Sequence, residues 1–456
     1  MAAIVTDSLK KLLANLLYTD IANATDSDEY YVGIGKSDQY NAADTIITPT
    51  RTIRDERITR ANLQSVKRVG DVSFVIPRYN WTSGTTYSGF NDNQVGIPTN
   101  TYYVLTEDNE VYICLQQGRN ALGTAVPSTV KPSYTTAGVG QTNVFETADG
   151  YRWKFMYSIS ASRANSFLSA NYVPIEKVAW ETAGDSAGLN AFELQQLTVQ
   201  RAAKPGQITG ISISSGGSGY TSAPTISING NGTGAAATAT ISGGTIVKIE
   251  MNNESAALGS GYQYADIEFS GGGGTGATAR PIIGPIGGIG ADPRDDLKAT
   301  SIMLNVKPDG TEDGAFIVGN DFRQISVFRN MEETGTNTVL TASDARALKS
   351  IVMATGVGSF SVDKLIRGGT SDTAAFIDDI DSNRIYFHQN ENTGFGIFQN
   401  GETLSESDGS GTGTIDSASS TSLADAFSGE LLYIENRARV IRDAAQQEDI
   451  KVIITI

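Results

Sequence analysis

The chain has 456 residues, enough for about three domains that each bury a core of their own. Its 50 acidic residues against 34 basic ones give a net charge of −16, a field that repels phosphate backbones and argues against a nucleic-acid partner. One cysteine, Cys114, and one histidine, His388, exclude an intrachain disulfide and a thiolate metal cluster and remove most zinc chemistry. No apolar run reaches the roughly 18 residues of a membrane span. The opening "MAAIVTDSLKKLLANLL" lacks a basic region ahead of a signal-type apolar core, so the expectation is a chain neither exported by the standard route nor anchored. With 49 glycines and only 12 prolines, the composition suits many short strands joined by tight turns.

In chain order, the first element is a helix capped by Thr6 or Asp7, with Leu9, Leu12, Leu13, Leu16 and Leu17 forming one stripe that should lie on a core or a partner. Strand patterns follow at "YYVGIG", "VSFVIP", "YYVLT", "VYICLQ" and "YRWKFMYSIS". The basic stretch 51–68, diluted by Asp55 and Glu56, reads as solvated or protein-contacting. Helical patterns return at 160–170 and 342–354, with a possible turn or two at 423–429, and the end reads as strand, loop, strand. Between these lie two repetitive stretches. In the first, "GGSGYTSAPTISINGNGTGA" (216–235) recurs as "LGSGYQYADIEFSGGGGTGA" (258–277), with Tyr220 over Tyr262 and Ile226 and Ile228 over Ile267 and Phe269. Each repeat predicts a small β unit with a Tyr at its turn, the two sharing a core. The second stretch repeats more faintly, setting Phe360 over Phe398, Ile366 over Leu404 and Ile377 over Ile415.

Motifs that suggest chemistry fail on their surroundings. Gly35-Lys36-Ser37 ends like a phosphate-binding loop, but Tyr30 stands where the first loop glycine must be and no long helix follows, so a strand running into a polar turn is the reading. "GGGGTGATA" and "GPIGGIG" precede no helix that could hold a pyrophosphate. Asp379, Asp381 and Asn383 open a calcium-loop spacing that Arg384 and Asn390 break at its glycine and glutamate positions; a turn before a strand is the better reading, with weak ion binding left open. His388 alternates with Phe387 and should point away from the apolar face, and no Gly-x-Ser-x-Gly elbow accompanies it. The residues offer no positive sign of an enzyme and call for no cofactor or metal.

Taken together, "YYVGIGKSDQY", "VIPRYNW", "VYICL", "DGYRWKFMYSI", "DFRQISV" and "SGELLYIENRARVIRDAAQQEDIKVIITI", in that order, resemble the baseplate wedge subunit (gene-eight product) family of T-even-type contractile-tailed bacteriophages. The resemblance implies a mainly β (α+β) structural protein: a β-sandwich-like core with a small α/β portion, forming a homodimer packed against other wedge subunits in the virion tail, without nucleic-acid or membrane partners. Trp81, Trp153, Arg323, Tyr433, Glu435, Asn436 and Arg437 are the motif positions it marks as structural or interface residues, and Trp153 and Tyr433 are expected to be mostly buried. The family pattern lacks the two repetitive stretches, so the expected division is core 1–205, inserted glycine-rich β module 206–290, core 291–354, second inserted module 355–420 and C-terminal core strands 421–456. The competing expectation is a carbohydrate- or receptor-binding tail module whose exposed Tyr220, Tyr262 and Tyr264 stack on sugars; a tail-associated wall-degrading enzyme is a third.

Overall fold

The computed structural model describes residues 4–22, 28–134, 143–179, 187–252, 258–308, 321–407, 409–420, 423–442 and 448–456. The chain is mainly β, 42% strand and 12% helix, as its alternating patterns predict. It divides into two compact units, residues 1–15 with 73–303 and 454–456, and residues 16–72 with 304–453. No helix among the described residues is long and apolar enough to cross a membrane.

The first unit holds a sheet in the order Tyr103–Leu105, Glu110–Gln116, Arg152–Ser158, Val144–Glu146. One face carries an aromatic cluster of Tyr87, Tyr112, Tyr151, Trp153 and Phe155, covered by Val199 of the helix Ala191–Arg201. Trp153 is fully buried, stacked on Tyr151 with centroids 5.7 Å apart and edge-on to Tyr87 at the same separation. Cys114 is buried beside them, and burial pushes its thiol pKa up, away from reactivity.

The duplicated stretch in this unit folds by exchange. Thr225–Gly230 of the first repeat pairs antiparallel with Ala265–Ser270 of the second, so that Ile226 faces Phe269 and Ile228 faces Ile267. Ile208–Ser218 pairs with Thr275–Ile283, and Thr233–Ala235 with Leu258–Ser260, so each repeat is completed by strands of the other. The two repeats share their core, as expected from sequence, in two clusters that have Ile211 and Ala237 in common, one around Tyr262 with Ile208, Met251 and Leu258, the other around Tyr220 with Ile246 and Ile249. Each Tyr ring lies on a glycine of the opposite repeat: a Cβ on Gly232 would come 2.4 Å from the Tyr262 ring, and one on Gly274 2.4 Å from the Tyr220 ring. Both rings are therefore buried, and only Tyr264, at 68% exposure, is available at the surface, which corrects the expectation of three exposed tyrosines.

The second unit is built on a sheet in the order Asp344–Arg346, Leu63–Arg68, Tyr30–Gly35, Phe322–Arg329, Glu430–Val440. All six residues of the Tyr30–Gly35 strand are buried. Gly35 is required by a close backbone approach, since a Cβ there would lie 2.3 Å from the Asn62 carbonyl oxygen; the glycine of "GKS" thus serves strand packing. A closed antiparallel barrel follows, in the order Lys349–Thr355, Arg384–His388, Ala374–Asp381, Leu365–Gly368, Thr403–Glu406, Thr412–Ser420. All three aligned pairs of the faint repeat, Phe360 and Phe398, Ile366 and Leu404, Ile377 and Ile415, sit in its core.

Two local expectations are corrected. Residues 342–354 are two strands: their Ala, Leu and Lys content favours helix, but Lys349–Thr355 closes the barrel by pairing on both sides, and that tertiary pairing overrides propensity. Residues 423–429 form a bridge and turn. The helix Asp7–Ala22 forms as expected, yet only Ala14 is buried, and Leu9, Leu12, Leu13 and Leu16 are 44–57% exposed. The helix at 160–170 is present as Ala161–Phe167, capped by Ser160. The loop expected before the last strand includes residues 443–447, which lie outside the described residues.

Two mutational outcomes follow. Trp153→Ala removes a wholly buried ring and should cost about 3–5 kcal/mol in denaturant unfolding. Gly232→Ala and Gly274→Ala should each cost about 1–3 kcal/mol by driving a methyl into a tyrosine ring; equal losses at the two sites, read by the same assay, would reflect the twofold-like exchange of the repeats.

Candidate functional site

Three motif segments far apart in sequence meet in the second unit: the turn 36–47 after the first strand, the start of Phe322–Arg329, and the middle of Glu430–Val440. Arg323 holds them. Its guanidinium, with the residue only 3% exposed, places Nε 2.9 Å from both Asp44 carboxylate oxygens and donates from Nη1 to the Ser37 carbonyl. Arg323 holds the Asp44 carboxyl below the usual carboxylate range, against the upward push of burial. The Tyr40 hydroxyl donates to the Arg323 carbonyl oxygen and accepts the Arg437 backbone N–H at 3.0 Å. Gln324 Nε2 donates to Asn436 Oδ1 at 2.7 Å, and Asn436 Nδ2 donates to the Ile47 carbonyl at 2.7 Å.

The same turn reaches the barrel through His388. Nδ1 lies 2.9 Å from both oxygens of Asp378, and Nε2 lies 3.1 Å from Asp38 Oδ2, which also accepts from Asn390 Nδ2 at 2.6 Å. Phe376 stacks on the ring, with centroids 5.6 Å apart. Phe387 points into the barrel core and His388 away from it, as alternation predicts. His388 is nevertheless buried, because the 37–38 turn covers it. Burial alone would lower its pKa, but the two carboxylates outweigh burial and raise it to about 10. Burial pushes Asp378 up against the pull of His388, while His388 and Asn390 hold Asp38 down against its own burial.

Ser37 Oγ is 3.5 Å from each ring nitrogen, so a Ser, a His and an Asp are close together. They do not make a nucleophile. A general base needs one ring nitrogen free to accept a proton from the hydroxyl, and here each ring nitrogen lies within hydrogen-bond distance of a carboxylate and closer to it than to Ser37. The arrangement is a charged fastener between turn and barrel.

The remaining motif positions are distributed. Trp81 is half-buried and donates from Nε1 to Ser128 Oγ at 3.1 Å, and Trp153 lies in the aromatic cluster; both belong to the first unit. Tyr433 is half-buried, more open than expected, and its hydroxyl donates to Glu435 Oε2 at 2.9 Å. Arg323, Asn436 and Arg437 are brought together; Trp81 and Trp153 are not part of that cluster. Of the calcium-loop residues, Asp379 pairs with Arg346 at 3.2 Å, and Asp381 faces Arg384 across a two-residue hairpin turn at Ser382, whose φ is 55°. Among the described residues no group of three or more His, Cys, Asp or Glu side chains is placed to hold a metal ion. Sequence reasoning missed a second buried pair, Lys154 and Asp296, both in the first unit and at most 3% exposed. Burial drives the lysine down and the aspartate up, each to about 8, and Asp296 Oδ2 accepts the Gly290 N–H at 2.7 Å.

The fastener has a definite pH dependence. A pKa raised from 6.5 to about 10 means that the stability contributed by His388 is fully present below about 6.5 and is lost as pH rises through about 10. Asp38 works in the opposite sense, its contribution lost as pH falls through its depressed pKa. Imidazole carbon shifts followed by NMR should therefore stay those of an imidazolium between pH 6 and 8, and His388→Gln should flatten the alkaline limb of a stability–pH curve.

Comparison with protein-family models and with curated proteins finds no match for this chain.

Proposed function

We propose that this protein is a structural subunit of the baseplate wedge of a contractile phage tail, a homodimer that binds other wedge subunits and performs no catalysis. The observation that supports this reading is the convergence just described. "GKSDQY", "FRQ" and "NR" belong to three of the segments that resemble the wedge family, and their side chains and backbones bond to one another around Arg323. Residues shared as motifs but committed to internal fastening suit a rigid building block. The sugar-binding reading loses two of its three aromatic platforms, Tyr220 and Tyr262, to the module's own cores.

The test is quantitative mass spectrometry of purified virions together with light scattering on the isolated protein. A copy number in multiples of six and a dimeric mass are expected. Absence from the virion, or a trimeric, fibre-like copy number, would overturn the proposal.

A further inference from the structure

A pocket of about 250 Å³ opens beside the Arg323 cluster, walled by Lys36, Tyr40, Thr48, Thr59, Ile58 and Ile434, with the carboxylates Asp55 and Glu391 also on its wall. Its one ammonium is unusual in its surroundings. Lys36 is half-buried, sits at a φ of 63°, and lies over the Tyr40 ring at 5.3 Å. Among the described residues, no carboxylate lies within ion-pair distance of its Nζ. Every carboxylate near it is committed elsewhere: Asp38 to His388 and Asn390, Asp44 to Arg323, Asp55 to the Thr50 backbone N–H and hydroxyl, and Glu391 to Arg54. Burial pushes the Lys36 pKa down, and the nearby Arg323 charge adds to that, with Asp38 and Asp44 opposing. The wall around the ammonium is apolar at Ile47, Pro49, Ile58 and Ile434, with the hydroxyl-bearing Thr48 and Thr59 among it; its other polar members are the amides Gln324 and Asn436 and the carboxylates Asp55 and Glu391, the first bonded to Thr50 and the second to Arg54.

We infer that this pocket is a carboxylate socket, in which Lys36 supplies the charge, the threonine hydroxyls supply further hydrogen bonds, and the isoleucines pack on a short aliphatic stem. A carboxylate on two or three methylenes matches both halves of the pocket, whereas a phosphate would use the cation and leave the apolar wall bare. The carboxylate comes either from a free small acid or from an acidic side chain of a neighbouring subunit; the second source rests on the wedge proposal above, and the socket itself does not.

The experiment is calorimetric titration of the full chain with sodium butyrate, sodium phosphate and sodium chloride at matched ionic strength. Saturable butyrate binding is expected, weakened about tenfold or more in Lys36→Gln, the loss of one charge-assisted hydrogen bond. Thr48→Val, on an exposed loop where folding is not at stake, should weaken it by a smaller factor, and Lys10→Gln should leave it unchanged. Butyrate heats no different from chloride, an unchanged affinity in folded Lys36→Gln, or tighter binding of phosphate than of butyrate would each overturn the socket. The source is then read from the tail: Lys36→Gln protein that still dimerises but no longer enters particles assigns the carboxylate to a neighbouring subunit. Normal incorporation with lost butyrate binding assigns it to a free acid. Absence of the unmodified protein from the tail would sink the wedge proposal and leave the calorimetry standing.

Discussion

A guanidinium that has lost its water must find its acceptors within the protein, and Arg323 finds them almost entirely in one turn. Leaving such a charge uncompensated costs several kcal/mol, so the bonds to Asp44 and to the Ser37 carbonyl are close to obligatory. Their effect is to fix the conformation of the whole segment from Lys36 to Ile47. Once that segment is fixed, the Tyr40 hydroxyl bridges two strands, Lys36 is held over the Tyr40 ring, and Asp38 is delivered to His388. Left-handed backbone at Lys36 and Asp44, unfavourable for residues with a Cβ, is sustained by these bonds.

The barrel depends on the same turn. Its core is apolar, and on its outer side Asp378 and His388 are buried and bond to each other through Nδ1, while the second ring nitrogen of His388 is met from outside the barrel. Asp38 supplies the second carboxylate, so that the imidazolium is neutralised from both sides and its proton is held tightly. A histidine so engaged has exchanged chemical reactivity for mechanical strength. The two glycine-rich and faintly repeating stretches, which look alike in composition, thus reach stability by different routes: the barrel by closing on itself and clipping to its host, the duplicated module by each repeat completing the other.

Much of the fold was legible in the sequence because it rests on short-range pattern. The strands of the two sheets announce themselves by Val, Ile and Tyr at alternate positions, and the duplicated anchors at Tyr220 and Tyr262 marked a symmetric module. Three helices were missed, the shortest being Pro293–Asp296. Ala191–Arg201 carried its signal openly, since Asn190 and Glu193 form a capping box, whereas Ile53–Ala61 was obscured by its dense charge, although Thr52 caps it and Asp55, Glu56 and Arg60 stand at the ends that suit their charges. What could not be read was anything set by partners remote in the sequence. His388 was rightly placed on the outer side of its strand, but only the arrival of Asp38 makes that side buried. Tyr220 and Tyr262 looked like exposed turn residues because the glycines that receive their rings belong to the other repeat. The cluster of Arg323, Asn436 and Arg437 was marked by resemblance, yet its bonding to Tyr40 and Asp44 is a property of the assembled sheet.

The exchange of strands in the duplicated module also dictates an order of events during synthesis. Ile208–Ser218 leaves the ribosome long before its partner Thr275–Ile283, and Thr225–Gly230 has no partner until Ala265–Ser270 has followed it out. Neither repeat can complete its strand pairing on arrival, because the partners of its strands lie in the other repeat. Among the described residues of the module, the hairpin Ala237–Ser242 with Thr245–Met251 is the pairing of shortest sequence separation, and it lies midway between the two halves. It is placed to act as the seed on which the rest closes, holding the waiting strands near one another and shortening the loop that must be searched.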